Sequence, residues 1–315
     1  MHCVTETWRN EPAVRLAGGG YEAVVLPRFG ANCVALRHIA SGASLLREPP
    51  SPEALAQEPN VYGLPLLFPP NRIRDGHFAF QGRSYDFPIN EPARHHHIHG
   101  LLSVTPFTHE GDGVFTFRAD EARSYLSFPH AFTVTRGFCL DERGLTQRLT
   151  VRNDSGTDMP LGVGFHAAWQ VPLNPADDSM ACRLQLPVKR QWLFNRETII
   201  PTGETCEDSP LLSALRTGTL VPEAQALSCL LECGEGEDCL HTPRGTFVCQ
   251  RLAGFPFVML WNGGGGKSFV CPEPQSWLVD APNLPMPPEM SGFFALAPGE
   301  ERTLSLRYGF RPAKG

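Results

Sequence analysis

Along most of this chain apolar and polar residues alternate with a period of two, or cluster in short runs rich in β-branched and aromatic side chains. The clearest segments are Tyr21–Leu26, Asn32–Leu36, Phe115–Arg118, Ala131–Leu140, Leu145–Val151, Ala181–Pro187, Phe247–Leu252, Phe257–Trp261 and Thr303–Phe310, each bounded by turn residues. A strand sends successive side chains to opposite faces, so this pattern predicts strands with one face buried. A 3.6-residue period is nearly absent. Ser51–Gln57 and Pro210–Leu215 could each make a short helix, but neither carries a sustained apolar stripe. Strands run from one end of the chain to the other with no low-complexity linker, which predicts an all-β fold: a large antiparallel β-sandwich with few short helices, forming one domain over residues 1–315.

Composition agrees. The 315 residues include 30 Gly and 30 Pro against 42% hydrophobic residues, which means frequent turns around a sizeable core rather than disorder. A net charge of -6, with no basic stripe, argues against a nucleic-acid or anionic-membrane partner and for a small molecule. The N-terminus lacks the basic start and apolar core of a signal peptide, and no apolar run approaches the ~20 residues of a membrane span, so a cytoplasmic location is expected. Ten scattered cysteines then read as reduced thiols. Cys229, Cys233, Cys239 and His241 lack the paired C-x2-C spacing of structural zinc sites, and no metal or other cofactor is expected.

Three stretches could carry chemistry. In Gly63–Gly100, Asn71 and Arg72 occupy one turn, and His97 and His99 close the segment before Gly100. Arg supplies a planar fork of donors and His a donor or acceptor, a combination suited to a hydroxyl-rich ligand, although a surface turn with a structural Arg would look the same. Farther on, His166 lies in GVGFHAAW, where Trp169 could offer an indole face to a sugar; a lone His in an apolar run is also a common core residue. The third stretch, FVCPEP, sets Glu273 between two prolines, which predicts that the strand ends or reaches a sheet edge there. Partial burial would raise the carboxyl toward the range of a general base. Gly263–Gly266, followed by Lys267 and Ser268, is not a phosphate-binding loop, because a strand rather than a helix follows it.

Together these motifs resemble the aldose 1-epimerases, or galactose mutarotases. The resemblance runs through Gly63-x-Pro65, Phe68-Pro69-x-Asn71-Arg72-Ile73, Gly76-x-Phe78, Gly82-x-x-Tyr85, Asn90, His97-x-His99-Gly100, His166, Cys271-x-Glu273-Pro274 and Ala281-x-Asn283. It implies a galactose mutarotase-like supersandwich that holds a sugar in an open cleft and needs no cofactor. By the same matching, His166 corresponds to the general acid and Glu273 to the general base, while Arg72 and His99 hold the sugar. The family also places a sugar-binding Asp between the second His and the Glu. Here the sole Asp from Ser209 to Val279 is Asp238, in an ECGEGEDC segment that reads as a turn, which leaves Glu223 as a possible replacement. Ala167-Ala168-Trp169, where aromatic and proline residues commonly follow the His, marks an altered pocket wall. The implied activity is interconversion of hexose anomers by a monomer or homodimer. Alternatives are a hexose-phosphate mutarotase drawing on Arg72, Arg74, Arg94 or Arg190, a non-catalytic carbohydrate-binding or regulatory protein, and, more remotely, a glycoside-cleaving enzyme, which would normally use two carboxylates.

Overall fold

The computed structural model of the chain describes residues 1–120 and 123–313. Its strands pair antiparallel throughout the named ladders, as the alternation predicts. The first five, His2–Trp8, Glu11–Gly18, Tyr21–Leu26, Asn32–His38 and Ala43–Ser44, form a meander in chain order. A second sheet of eight strands runs in the order Thr108–Gly111, Val114–Ala119, Phe132–Asp141, Gly144–Asn153, Glu301–Pro312, Gly245–Ala253, Glu237–Thr242 and Arg183–Gln185. The third sheet carries the chemistry. Its order is Pro201–Cys206, Val188–Phe194, Ser228–Cys233, Phe257–Trp261, Phe269–Gln275, Gly164–Phe165 and Leu66–Leu67, with Trp169–Gln170 pairing beside Gly164–Phe165 on the same neighbour.

One extended apolar cluster fills the space between the sheets, drawing on Val14 and Val25 of the meander, Phe115, Phe132 and Leu149 of the second sheet, and Phe165, Val258 and Val270 of the third. Within it lies a fully buried arginine. Arg136 donates to the carbonyls of Gly30 (2.7 Å) and Leu64 (3.0 Å) and to Gln147 Oε1 (2.7 Å), tying the loop before Asn32 and the segment leading to Leu66 to the second sheet. Such a network suits a buried cation better than isolation, which would cost several kcal/mol of desolvation at roughly the scale known for unpaired charges.

The two short helices expected from sequence are present. Pro52–Gln57 is capped by Ser51, whose hydroxyl accepts from Ala54 N, and Pro210–Thr217 by Ser209, whose hydroxyl accepts from Leu212 N. Two expectations need correction. The segment around Ala181 begins with a single 3-10 turn, Ser179–Ala181, so the strand shrinks to Arg183–Gln185. Asp238 is not in a turn but inside the strand Glu237–Thr242, buried beside Arg251 at 3.2 Å. Gly263–Gly266 lies in the turn of the hairpin between Phe257–Trp261 and Phe269–Gln275, and a strand follows it, as expected. No helix among the described residues is long and apolar enough to cross a membrane.

The expectation for FVCPEP also needs correction. Phe269–Gln275 is an interior strand, every residue of it buried, with Phe257–Trp261 on one side and the Gly164–Gln170 segment on the other. Backbone alternation resolves the apparent conflict with two prolines. Ser276 N donates to Val163 O (2.9 Å), so the nitrogens of Pro272 and Pro274 face the same side. On that side the ladder between Gly164 and Trp169 lacks these two donors, while His166 N and Ala168 N, which alternation points to the opposite edge, donate to the carbonyls of Pro65 (3.2 Å) and Gly63 (2.9 Å). The prolines therefore open one edge of the strand and leave its ladder with Phe257–Trp261 whole.

The excursion from Phe68 to Gly100, which carries the short paired strands Arg72–Arg74 with His96–Ile98 and His77–Phe80 with Arg83–Asp86, closes against this sheet through strained or glycine-only backbone. Asn71 and His99 sit at φ 56° and 66°, and His99 N donates to Asn71 O (2.9 Å). Gly100 follows at φ 63°, and a Cβ there would lie 1.8 Å from Phe68 O. A Gly100→Ala variant should therefore lose at least ~2 kcal/mol of stability, read as a lower urea midpoint; an unchanged midpoint would show that the loop relaxes freely.

Candidate active site

The interrupted ladder is where the polar residues gather. Gly164 opposes Gln275 and Trp169 opposes Val270, a single register whose extension sets His166 opposite Glu273. Their side chains meet, His166 Nε2 lying 3.1 Å from Glu273 Oε1. Successive side chains of a strand alternate, so Glu273 shares its face with Met259 across the ladder and with Cys271, which opposes Trp261. His166 stands edge-on to Trp261, with ring centroids 5.5 Å apart, and His99 packs against its other side at 5.4 Å.

His99, His166, Met259, Trp261 and Glu273 line a cavity of about 300 Å³ together with Asn71, Arg72, Arg94, Ile98, Ile199 and Ser228. Polar groups of the 71–99 loop form one wall, and the strands Ser228–Cys233, Phe257–Trp261 and Phe269–Gln275 form the floor. A small, half-apolar cavity with convergent polar groups is the usual form of a small-molecule site.

Burial sets the electrostatics. It pushes the Glu273 carboxyl well above the usual carboxylate range, against the opposing influence of Arg72 and of Gln275, whose Nε2 donates weakly to Oε2 at 3.4 Å. Burial likewise lowers the His166 imidazole to about 4. Both shifts favour the uncharged forms, so the pair holds one proton between two neutral groups rather than an ion pair. His99 is held well below its ordinary value by burial and then by nearby His166, Arg72 and His97. The Nδ1 atoms of His166 and His99 are buried without a hydrogen-bond partner among the described residues.

Arg72 is held in place by Glu91, which no motif in the sequence marks. Glu91 accepts from Arg72 Nε (2.7 Å) and Nη2 (2.8 Å), and from Arg94 Nη1 (3.0 Å). This fork-to-fork pairing leaves Arg72 Nη1 for Asn71 Oδ1 at 3.1 Å. Burial opposes the Glu91 charge, but the two arginines outweigh it and keep the carboxyl below its usual value.

Other expected site residues fall outside the cavity. Trp169 cannot offer its face to a ligand: it is completely buried and packs on Phe247 at 4.6 Å. Trp261 is the indole that lines the cavity. His97 is buried behind His99, its Nδ1 bonded to Pro88 O (2.8 Å) and its ring beside Phe87. Glu223 is engaged elsewhere, accepting from Ser179 Oγ at 2.5 Å. Neither it nor Asp238 lines the cavity; the position facing the ligand space from the strand between His166 and Glu273 is Ser228. Periodicity could have flagged Ser228 as the start of an apolar strand, but not its direction. Among the described residues no set of three His, Cys, Asp or Glu side chains could hold a metal ion. Burial pushes the thiols of Cys229 and Cys233 up to about 12, and His241 is bonded to Gln185 and Thr246.

A β-sandwich that sets a buried His–Glu contact beside a polar cavity is the arrangement this chain presents. The chain belongs to the aldose 1-epimerase family, whose model matches residues 12–309. Among solved structures it is similar to a galactose mutarotase-like protein from Clostridium acetobutylicum, at 27% identity, with 99% of each chain covered and a TM-score of 0.95. The galactose 1-epimerase of Lactobacillus acidophilus shares the fold at 15% identity and a TM-score of 0.70, with 99% of each chain covered. By sequence, the uncharacterized protein YphB of Escherichia coli K12 is 26% identical over 256 residues, covering 77% of this chain and 82% of the relative.

The pKa of His166 makes a stability prediction. A folded value of about 4 against an ordinary 6.5 means that its contribution is fully present above pH 6.5 and is lost as pH falls through 4. Replacing it, as in His166→Gln, should shrink the loss of unfolding free energy between those pH values by up to about 3 kcal/mol. Denaturant titrations at both pH values read this directly; an identical loss in variant and wild type would mean that His166 is not buried in its neutral form.

Proposed function

We propose that the protein is a mutarotase, which interconverts the α and β anomers of a hexose by opening and reclosing the hemiacetal ring. The observation that carries this reading is the His166–Glu273 contact of 3.1 Å inside a sugar-sized cavity. Ring opening needs a base for the C1 hydroxyl proton and an acid for the ring oxygen, and two groups sharing one proton supply both.

Glu273 takes the C1 hydroxyl proton as His166 gives one to the ring oxygen, and the C1–ring-oxygen bond breaks to leave an open-chain aldehyde. This step leaves the carboxyl protonated and the imidazole neutral, the state that burial favours in the sugar-free protein. Rotation about the bond to C1 presents the other carbonyl face. The ring then closes as each proton returns. The starting tautomer, with a charged carboxylate and imidazolium, differs from the resting one only by a proton moved across the hydrogen bond, so pH does not separate them. Arg72, which favours the charged carboxylate, biases the pair toward that starting state.

Holding the sugar falls to Arg72, His99 and Asn71, with Arg72 oriented by Glu91. Trp261 supplies an apolar face, and the hydroxyl of Ser228 a small polar contact in place of a carboxylate. A purely carbohydrate-binding role would not call for burying an acid and a base against each other, which costs desolvation that binding alone does not recover. A glycoside-cleaving role lacks its second carboxylate, since Glu273 is the sole carboxylate lining the cavity among the described residues.

Glu273→Gln keeps the shape and hydrogen-bonding reach of the side chain but removes the base. It should slow mutarotation of freshly dissolved α-glucose or α-galactose by at least ~10²-fold. Polarimetry giving near wild-type rates for that variant would refute the assignment.

A further inference from the structure

On the outer face of the second sheet lies a cavity of about 410 Å³ that shares no lining residue with the His166–Glu273 cavity. Strand alternation accounts for its shape. Leu304, Leu306 and Tyr308 of the strand Glu301–Pro312 point into the core, so Arg307, Gly309 and Arg311 point outward. The ladders set Arg307 between Thr146 and Gln250, Gly309 beside Val248, and Arg311 beside Thr246. A row with no side chain at Gly309 therefore separates two rows that each carry an arginine, and a trough results, floored by Gly309 and Val248.

The turn that joins Phe132–Asp141 to Gly144–Asn153 roofs this trough. It lies so close that a Cβ at Gly309 would sit 2.3 Å from Arg143 O, and one at Gly144, held at φ 113°, would sit 2.0 Å from Tyr308 O. Backbone contact thus fixes the roof, which brings Glu142 and Arg143 to the cavity and keeps Val248 buried on an outward-facing row.

Three guanidinium groups reach the cavity, and two of them already have carboxylates. Asp141 Oδ2 accepts from Arg143 Nη2 at 3.0 Å, and Glu237 accepts from both terminal nitrogens of Arg311. Arg307 has no carboxylate within ion-pair reach among the described residues; Asp141 acts on it only from a distance. It is half-buried and held at its stem, with Nε donating to Thr146 Oγ1 at 3.0 Å. Both of its terminal nitrogens are left without a hydrogen-bond partner among the described residues. A guanidinium fixed in this way presents the open side of its planar fork, the geometry that takes a carboxylate or a phosphate through parallel bonds. Val248 supplies an apolar floor for the body that carries such a group.

We propose that this cavity is a second binding site, for a small molecule bearing a carboxylate or phosphate group, with Arg307 as its anchor and Arg143 as a further donor. Glu142, exposed on the roof, is the one carboxylate lining the cavity among the described residues, and its charge opposes the ligand's. The site stands apart from the mutarotase reading, since neither His166 nor Glu273 lines it.

NMR titration of ¹⁵N-labelled protein with sodium phosphate and, separately, sodium acetate tests the site without any sugar, followed at the amides of Gly309 and Val248. Constant ionic strength keeps screening out of the comparison. At least one anion should shift these amides along a saturable curve. Arg307→Gln should weaken that binding at least tenfold, the loss expected when a charge-assisted fork is removed. Glu142→Gln, an exposed substitution on a turn, should tighten it several-fold by removing a like charge. Arg72→Ala should leave it unchanged, because Arg72 lines the other cavity. A preference for phosphate would identify a phosphate ester as the ligand and a preference for acetate a carboxylate; either supports the site. Three results would each overturn it: no saturable shift with either anion, no tightening in Glu142→Gln, or binding that survives Arg307→Gln and is lost in Arg72→Ala.

Discussion

The desolvation of one carboxyl and one imidazole against each other governs the rest of the site. Isolated, either charge would be costly so far from water; together they remain neutral and share a proton, as burial directs. Such a pair needs a sheet interior for burial and a break in the sheet for room. Phe269–Gln275 supplies both, because its proline nitrogens face the Gly164–Gln170 segment and have no proton to donate there, which opens that edge, while the far edge of the segment stays bonded to Gly63 and Pro65. The imidazole and the carboxyl meet across this gap. The prolines that seem to argue against an interior strand are what open the sheet beside Glu273.

Around that pair the 71–99 loop supplies charge at a distance. Arg72 is bound on two sides by Glu91, so its position does not depend on ligand, and it leans on Glu273 through space rather than by direct contact. The positive φ values of Asn71 and His99 and the glycine-only geometry of Gly100 are the conformational cost of bringing this loop over the sheet. A second loop, 195–199, docks on the first through Arg94 and His96 and shapes the far wall with Ile199. The cleft is therefore bounded by two loops that brace each other over a rigid floor.

Much of this was legible in the residues. Period-two alternation reveals the all-β class and most long strands, and the two Ser-Pro starts mark both of the longer helices. Legibility failed where side-chain direction decides. Trp169 and His97 lie beside the right residues in sequence but face the core, since strand alternation and the turn at His99 send them the other way. Glu223 and Asp238 are plausible carboxylates by position alone, yet each is engaged elsewhere, and Ser228 faces the cavity instead. Glu91, Trp261 and Ile199 join the site only through tertiary packing across long sequence separations, which no local pattern encodes.

The central claim is that His166 and Glu273 hold one proton as a neutral pair in the sugar-free protein. Imidazole nitrogen NMR of ¹⁵N-histidine-labelled protein, with His166 assigned through a His166→Gln variant, measures this directly. A neutral ring, with one protonated and one unprotonated nitrogen throughout pH 5 to 8, is the predicted result, since its value lies near 4. Two protonated nitrogens at pH 7, the signature of an imidazolium, would contradict it and make the resting pair a buried salt bridge.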